Sequence, residues 1–332
     1  MTTVQPTRRH TSPHDTQHAD LSLDDRPLVW IDGELLPKSQ AKVSVFDHGF
    51  LYGDGVFEGI RVYNGQIFKC RSHLDRIFRN ARGIYLDQQS PEGRVEEGGN
   101  FPYTPDQIRI AMEEAVKAND LTDGYIRLLF SRGAGTLGLN PFACPKPSVV
   151  IIADTITLYP EEMYTNGMRV VVAKRPRTPD VCLDPRLKSL NYLNNILAKV
   201  EAIDAGCLEA IMLRYTDGDT QVVGECTGDN LFMVKDGIIY TSPLEVGMLD
   251  GITRKFLIEE LAPSMGFTVR EEWLTLDRVV SADEIFLTGT AAEMIAVAQI
   301  GETRLSDGEG EITKKLRTRF REIVTQDVVP TD

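Results

Sequence analysis

The stretch Asp47-His-Gly-Phe-Leu-Tyr-Gly-Asp-Gly-Val-Phe-Glu-Gly-Ile-Arg61 decides which folds are open to this chain. Its glycine density invites a nucleotide-binding reading, and both common forms of that reading fail. The glycine spacing is not GxGxxG, no helical pattern comes after it, and no Gly-Lys-Ser/Thr closes it into a P-loop. Its C-terminal end instead runs into a hairpin, Gly59–Lys69, whose turn is Asn64-Gly65. Upstream, Leu28–Leu36 reads as another hairpin turning at Asp32-Gly33.

Working outward, residues 72–85 place Leu74, Ile77, Phe78, Ala81 and Ile84 at helical spacing. Thr104-Pro105-Asp106 supplies a cap, a first-turn proline and an acid for a helix to about Asn119. Strand patterns occupy Tyr125–Ser131 and Ser148–Ala153, and Gln88–Asn100 is a polar insertion. Asp154–Gly167 loses periodicity and reads as a linker. Beyond it come a strand at Met168–Ala173 and a helix from about Leu190 to Ala205, with Leu193, Leu197 and Val200 as its buried stripe. The second half mixes hairpins and helices without a βαβ rhythm, so the class is α+β rather than doubly wound. The expected organisation is a disordered tail (1–25), a small α/β domain (26–153), a linker (154–167), a large domain (168–326) and a C-terminal tail (327–332).

The chain has 332 residues, enough for two cores, and a formal net charge of -13, which opposes a nucleic-acid or anionic-membrane partner. No apolar run approaches the roughly 20 residues that span a bilayer. The cysteines Cys70, Cys144, Cys182, Cys207 and Cys226 are scattered, without a CxxC pair, and read as free thiols of a reducing compartment, the cytoplasm. Neither a disulfide framework nor a metal site is expected. The tail histidines His10, His14 and His18, and the isolated His48 and His73, form no ligand set.

Four segments carry residue types suited to chemistry. Lys188, in Arg186-Leu-Lys-Ser-Leu-Asn-Tyr192, precedes an amphipathic helix among apolar residues, where a desolvated amine is a nucleophile. A solvated surface lysine has the same local sequence. Glu225, bracketed by Gly224 and Gly228 ahead of an apolar strand, is either a ligand-facing acid or a cap for backbone amides. Gly251-Ile-Thr-Arg254 opens a helix and Thr288-Gly-Thr-Ala-Ala-Glu293 succeeds a strand, so each can cradle an anion with its amides and hydroxyl. Many helices begin this way with nothing bound.

Taken in order, FDHGFLYGDGVFEGIRVY, RSHLDR, YIRLLFSRGAGTLGLNP, KSLNYLNNILAK, GECTGDNLFMVKDG, LDGITR and FLTGTAAE make the chain resemble the fold-type IV (class IV) pyridoxal-phosphate aminotransferases, above all the branched-chain amino acid group. The resemblance spans residues 28–325. It implies a two-domain fold-type IV enzyme with pyridoxal 5'-phosphate as cofactor and Lys188 as its Schiff-base lysine and proton carrier. It further implies that Glu225 accepts the ring N–H and that Tyr192 bonds the phenolic oxygen. Arg71, Ile252, Thr253 and Thr290 would hold the phosphate, with Leu249 packed on the ring. Tyr52, Phe57, Gly59, Tyr125, Arg127, Tyr159, Ala291 and Ala292 would form the substrate pocket, with Tyr52, Tyr159 and the Leu137–Leu139 loop lining it across the interface of a homodimer. The reaction implied is amino transfer from L-leucine, isoleucine or valine to 2-oxoglutarate, an arginine at an apolar pocket's rim serving both partners. A D-amino acid or (R)-amine aminotransferase, an aminodeoxychorismate lyase and a non-catalytic cofactor-binding protein are the alternatives.

Overall fold

A computed structural model describes residues 25–87, 101–156, 159–215, 221–326 and 329–332. Residues 1–24 of the expected tail and the insertion Gln88–Asn100 lie outside the described residues.

The first body is a six-stranded antiparallel sheet built from β1 (Leu28–Ile31), β2 (Glu34–Pro37), β3 (Gly55–Tyr63), β4 (Gln66–Ile67), β5 (Gly124–Ser131) and β6 (Ser148–Asp154), in the order β2-β1-β6-β5-β3-β4. Both expected hairpins form. Tyr63 pairs with Gln66 across Asn64 and Gly65, whose φ values of 50° and 72° are the two left-handed positions that a primed turn demands. Between β2 and β3 lies α1 (His48–Tyr52). Two helices, α2 (Cys70–Gly83) and α3 (Pro105–Ala118), cover one face of the sheet. Thr104 and Gln107 close the reciprocal capping box at the start of α3.

Period-two alternation assigns the faces. On β5, Ile126, Leu128 and Phe130 are fully buried in the core under the helices, which turns Tyr125 and Arg127 to the opposite face. On β3 the same parity sends Val56, Glu58 and Ile60 toward the helices, and Phe57 and Gly59 away from them.

The second body comes after α4 (Glu161–Asn166), a short helix inside the stretch read as linker, where Tyr164 is buried. Its strands are β7 (Met168–Val172), β8 (Glu209–Tyr215), β9 (Gln221–Cys226), β10 (Asn230–Lys235), β11 (Ile238–Thr241), β12 (Val269–Glu271), β13 (Glu284–Gly289), β14 (Glu293–Ile300) and β15 (Thr303–Arg304). They form one mixed sheet in the order β12-β11-β10-β13-β14-β7-β8-β9, with β15 beside β14. The parallel pairs are β11–β12, β7–β14 and β7–β8. Its helices are α5 (Leu193–Asp204), α6 (Ile252–Phe256), α7 (Ala262–Ser264), α8 (Leu276–Val280) and α9 (Glu311–Val324), a π-helical stretch at Leu257–Leu261 joining α6 to α7. A shared core of Tyr63, Phe68, Phe256, Phe286 and Phe320 ties the two bodies together. The α+β class is the one expected.

One packing expectation is reversed. Leu193 and Val200 of α5 are exposed, with Ile196 and Ile203, and Leu197 is only partly covered. The buried face is Ala198 and Ala202, packed on Ala173, Ala210 and Met212. Small side chains let the helix lie close to β8. Apolar spacing showed that α5 has a stripe, not that this chain supplies its cover.

Candidate active site

A cavity of about 430 Å³ lies where the two sheets meet. The first sheet contributes Phe57 and Gly59 from β3 and Tyr125 and Arg127 from β5, the residues its alternation turns away from the helices. Gly59 is needed there, because a Cβ would run into the Tyr125 hydroxyl. Arg127 lies 4.7 Å from the Phe57 ring centre and its Nη2 donates to the Tyr125 hydroxyl at 3.2 Å. Among the described residues it has no acidic partner.

Lys188 sits before α5 on a segment laid along β3. Phe57 N donates to Lys188 O at 2.9 Å and Leu190 N to Gly55 O at 2.9 Å. This backbone pairing fixes the lysine's root, and Nζ donates to the Tyr192 hydroxyl at 3.1 Å. Tyr192 packs edge-on against Phe57 at 4.9 Å.

At one end of the cavity stands Arg76 of α2. Its Nε and Nη2 donate to the two oxygens of Glu58, each at 2.7 Å, and Nη1 donates to Asp250 O. His73 Nδ1 also meets Glu58 Oε2 at 2.7 Å. Burial pushes the Glu58 carboxyl up, but Arg76 and then His73 outweigh it and hold the group at about 2. A guanidinium has five N–H groups. Three are engaged, and two remain on a side chain that lines the cavity.

This corrects the assignment of Arg71. Its side chain is 81% exposed and faces Asp75 one helical turn away, on the outer surface of α2. Helical geometry gives the reason: Cys70, His73, Ile77 and Asn80 mark the buried face, Arg76 shares it, and Arg71 does not.

At the other end is Glu225 on β9. Its Oε1 lies 2.6 Å from Arg177 Nη2, Leu249 N donates to its oxygens at 3.3 and 3.2 Å, and Asn230 Nδ2 donates to Oε2 at 3.2 Å. Here burial dominates and raises the carboxyl above its ordinary range, with Arg177 the largest opposing influence. A carboxylate offers about four acceptor positions. Arg177, Leu249 and Asn230 take three, leaving one for a donor in the cavity.

Between these ends lie Leu249, Ile252 and Thr253 at the start of α6, with Thr290, Ala291 and Ala292 in the turn after β13. The first-turn amides of α6 have no partner within the helix, and the buried Thr288 hydroxyl beside the turn has none among the described residues. Tyr159 lines the same cavity. Tyr52 and the loop at Leu137–Leu139 do not: Tyr52 accepts from Gly138 N at 3.0 Å on an exposed edge. Sequence reasoning missed Arg76, Glu58, Arg177 and Asn230. It also missed Asp229, which lines the cavity and is pushed up to about 7 by burial and then by Glu209.

These residues fit pyridoxal phosphate. A pair of free arginine N–H groups with helix-start amides matches a phosphate. One open acceptor on a buried glutamate matches a ring N–H, and an amine stands between them.

Residues 55–300 match the model of the amino-transferase class IV family. A putative branched-chain-amino-acid aminotransferase of Methanocaldococcus jannaschii is 42% identical, over 90% of this chain and 96% of its own length. A D-alanine aminotransferase of Staphylococcus epidermidis is 33% identical, over 89% of this chain and 97% of its own. The crystal structure of a branched-chain aminotransferase from the thermophilic archaeon Thermoproteus uzoniensis, with norvaline, is 34% identical. Its TM-score is 0.80, over 90% of this chain and 96% of that one. The chain belongs to the class IV aminotransferase family.

Proposed function

We propose that this protein is a pyridoxal-phosphate aminotransferase that moves the amino group of L-leucine, isoleucine or valine to 2-oxoglutarate. The observation that carries the substrate reading is Arg127, a cation beside two aromatic rings of the cavity that pairs with no acid among the described residues. A carboxylate completes that arrangement, and Phe57 and Tyr125 beside it suit an aliphatic chain.

Pyridoxal phosphate supplies the carbonyl carbon that receives the amino group and a ring that withdraws electrons from the carbon losing its proton. The chain's residues do the rest. Arg76, the α6 amides, Thr253 and Thr290 would hold the phosphate; Leu249 would pack on the ring; Glu225 would accept the ring N–H. Lys188 Nζ would take the proton from the substrate α-carbon and deliver it to the carbon that receives the amino group, steadied by the Tyr192 hydroxyl that accepts from it. Tyr125, Arg127 and the amides at Ala291 and Ala292 orient the carboxylates.

Residues 26–153 and 168–326 are proposed as the two domains. A homodimer is proposed from two exposed apolar surfaces: Leu193, Ile196, Val200 and Ile203 on α5, and Val45, Phe46 and Phe50 beside Leu137 and Leu139. Tyr52 and that loop are proposed to line a second copy's cavity. An Ile196→Asp protein sedimenting as the wild type would remove that support. The cytoplasm is the proposed compartment, on the free-thiol reading of the five cysteines.

Absorbance tests the function. The wild type should be yellow, bleach with L-leucine and recover with 2-oxoglutarate, and Lys188→Ala should lose the band and at least about 10²-fold in turnover. Bleaching by D-alanine or an (R)-amine, with L-leucine inert, would overturn the substrate reading and leave the class intact.

A further inference from the structure

Glu225 has a counterion behind it that does not itself line the cavity. Arg177 arrives from the loop after β7, and its Nη2 lies 2.6 Å from Glu225 Oε1, both side chains being buried. Arg177 N donates to Leu213 O at 2.8 Å, which pins its backbone to β8. Gly224, next to Glu225 on β9, leaves room for the aliphatic stem: a Cβ there would stand 3.0 Å from Arg177 Cγ and 3.2 Å from Met212 O. Among the described residues the guanidinium meets no second acid, and its buried Nε has no partner. A buried arginine engaged by one carboxylate, with a glycine clearing its path, is placed for that carboxylate.

Electrostatics gives the placement a direction. When Glu225 accepts a ring N–H, one proton lies between the carboxylate oxygen and the ring nitrogen. The proton on nitrogen leaves the oxygen negative and the ring positive; the proton on oxygen leaves both neutral. A cation behind the carboxylate is nearer the oxygen than the nitrogen. Its attraction for the anion therefore exceeds its repulsion of the ring.

We propose that Arg177 is a positioning residue that keeps Glu225 anionic and so holds the proton on the ring nitrogen of the bound cofactor. This rests on the cofactor reading above. Without Arg177, the burial that already lifts Glu225 is opposed only by weaker influences, and the proton moves to the oxygen.

The test reconstitutes the full chain with pyridoxal phosphate carrying ¹⁵N in the ring. The ring resonance is compared in the wild type, Arg177→Lys, Arg177→Met and Gly224→Ala. The wild type and Arg177→Lys should show a protonated ring nitrogen at neutral pH. Arg177→Met should shift toward unprotonated pyridine and lose about 10–100-fold in turnover, the usual size of an outer-partner effect, with a much smaller change in KM. Gly224→Ala, which displaces the stem and keeps the charge, should shift the same way by less. It stands in if the methionine protein does not fold. An unchanged resonance in whichever of these two folds overturns the proposal. A wild type that takes up no labelled cofactor overturns the cofactor reading instead.

Discussion

Glu58, behind Arg76, and Glu225 are two buried glutamates at opposite ends of one site, and their carboxyls are driven in opposite directions. Glu58 falls from an ordinary value of 4.5 to about 2, while Glu225 rises. Burial is the largest single influence on both, and it acts upward on both. The difference lies in the partners. Glu58 receives a two-pronged grip from Arg76 and a third contact from His73. Glu225 has one arginine contact, one amide side chain and one backbone N–H. Each carboxylate meets three donor groups, so their charge and geometry, and not their number, decide which way it goes. Glu58 meets a two-pronged guanidinium and an imidazole, and it holds Arg76 toward the cavity. Glu225 meets a single guanidinium N–H and two neutral amides, and one of its acceptor positions faces the cavity.

The contrast can be broken by substitution. Glu58→Gln should be the costliest change, about 3–5 kcal/mol, because it strands a buried arginine that had a matched fork; denaturant unfolding at neutral pH measures it. A cost as large for Glu225→Gln would sink the comparison.

Next in size is the acid response. Because the folded-state value of Glu58 lies below its unfolded value, its contribution is present above pH 4.5 and is lost as pH falls toward 2. The depression corresponds to about 3 kcal/mol, which acid titration of stability should show in the wild type and not in Glu58→Gln. Glu225 has the reverse sign. Its folded-state value is raised, so its contribution is present at low pH and declines as pH climbs above 4.5.

Glu225→Gln should therefore cost less, about 1–3 kcal/mol, since the amide oxygen still accepts from Arg177 and Leu249 N. It should also flatten the decline above pH 4.5; a decline as steep as the wild type's would remove Glu225 as its source. The smallest effect should come from Arg71→Ala, within about 0.5 kcal/mol of the wild type and with unchanged cofactor uptake. Loss of cofactor from that protein would restore the assignment that the structure moved to Arg76.

Much of this was written locally. Asn64-Gly65 specified its turn because few residues tolerate two left-handed positions, and Thr104 with Gln107 specified a helix start because they answer each other's backbone. Tyr125 and Arg127 fell on one face because strand side chains alternate. Lys188 and Glu225 were legible for another reason, the order of seven motifs along the chain. Choosing between Arg71 and Arg76 required knowing which face of α2 met the sheet, and the choice made from the motif was wrong.

Sequence by itself determined most of the elements and the class, because periodicity and turn chemistry act over a few residues. Tertiary structure alone decided that α5 buries alanines and exposes its large residues, that Glu58 grips Arg76, and that Arg177 stands behind Glu225. Those two ion pairs join residues 18 and 48 positions apart, and each depends on which surfaces meet. A residue's charge and exposure belong to its neighbours in space, and the chain order does not contain them.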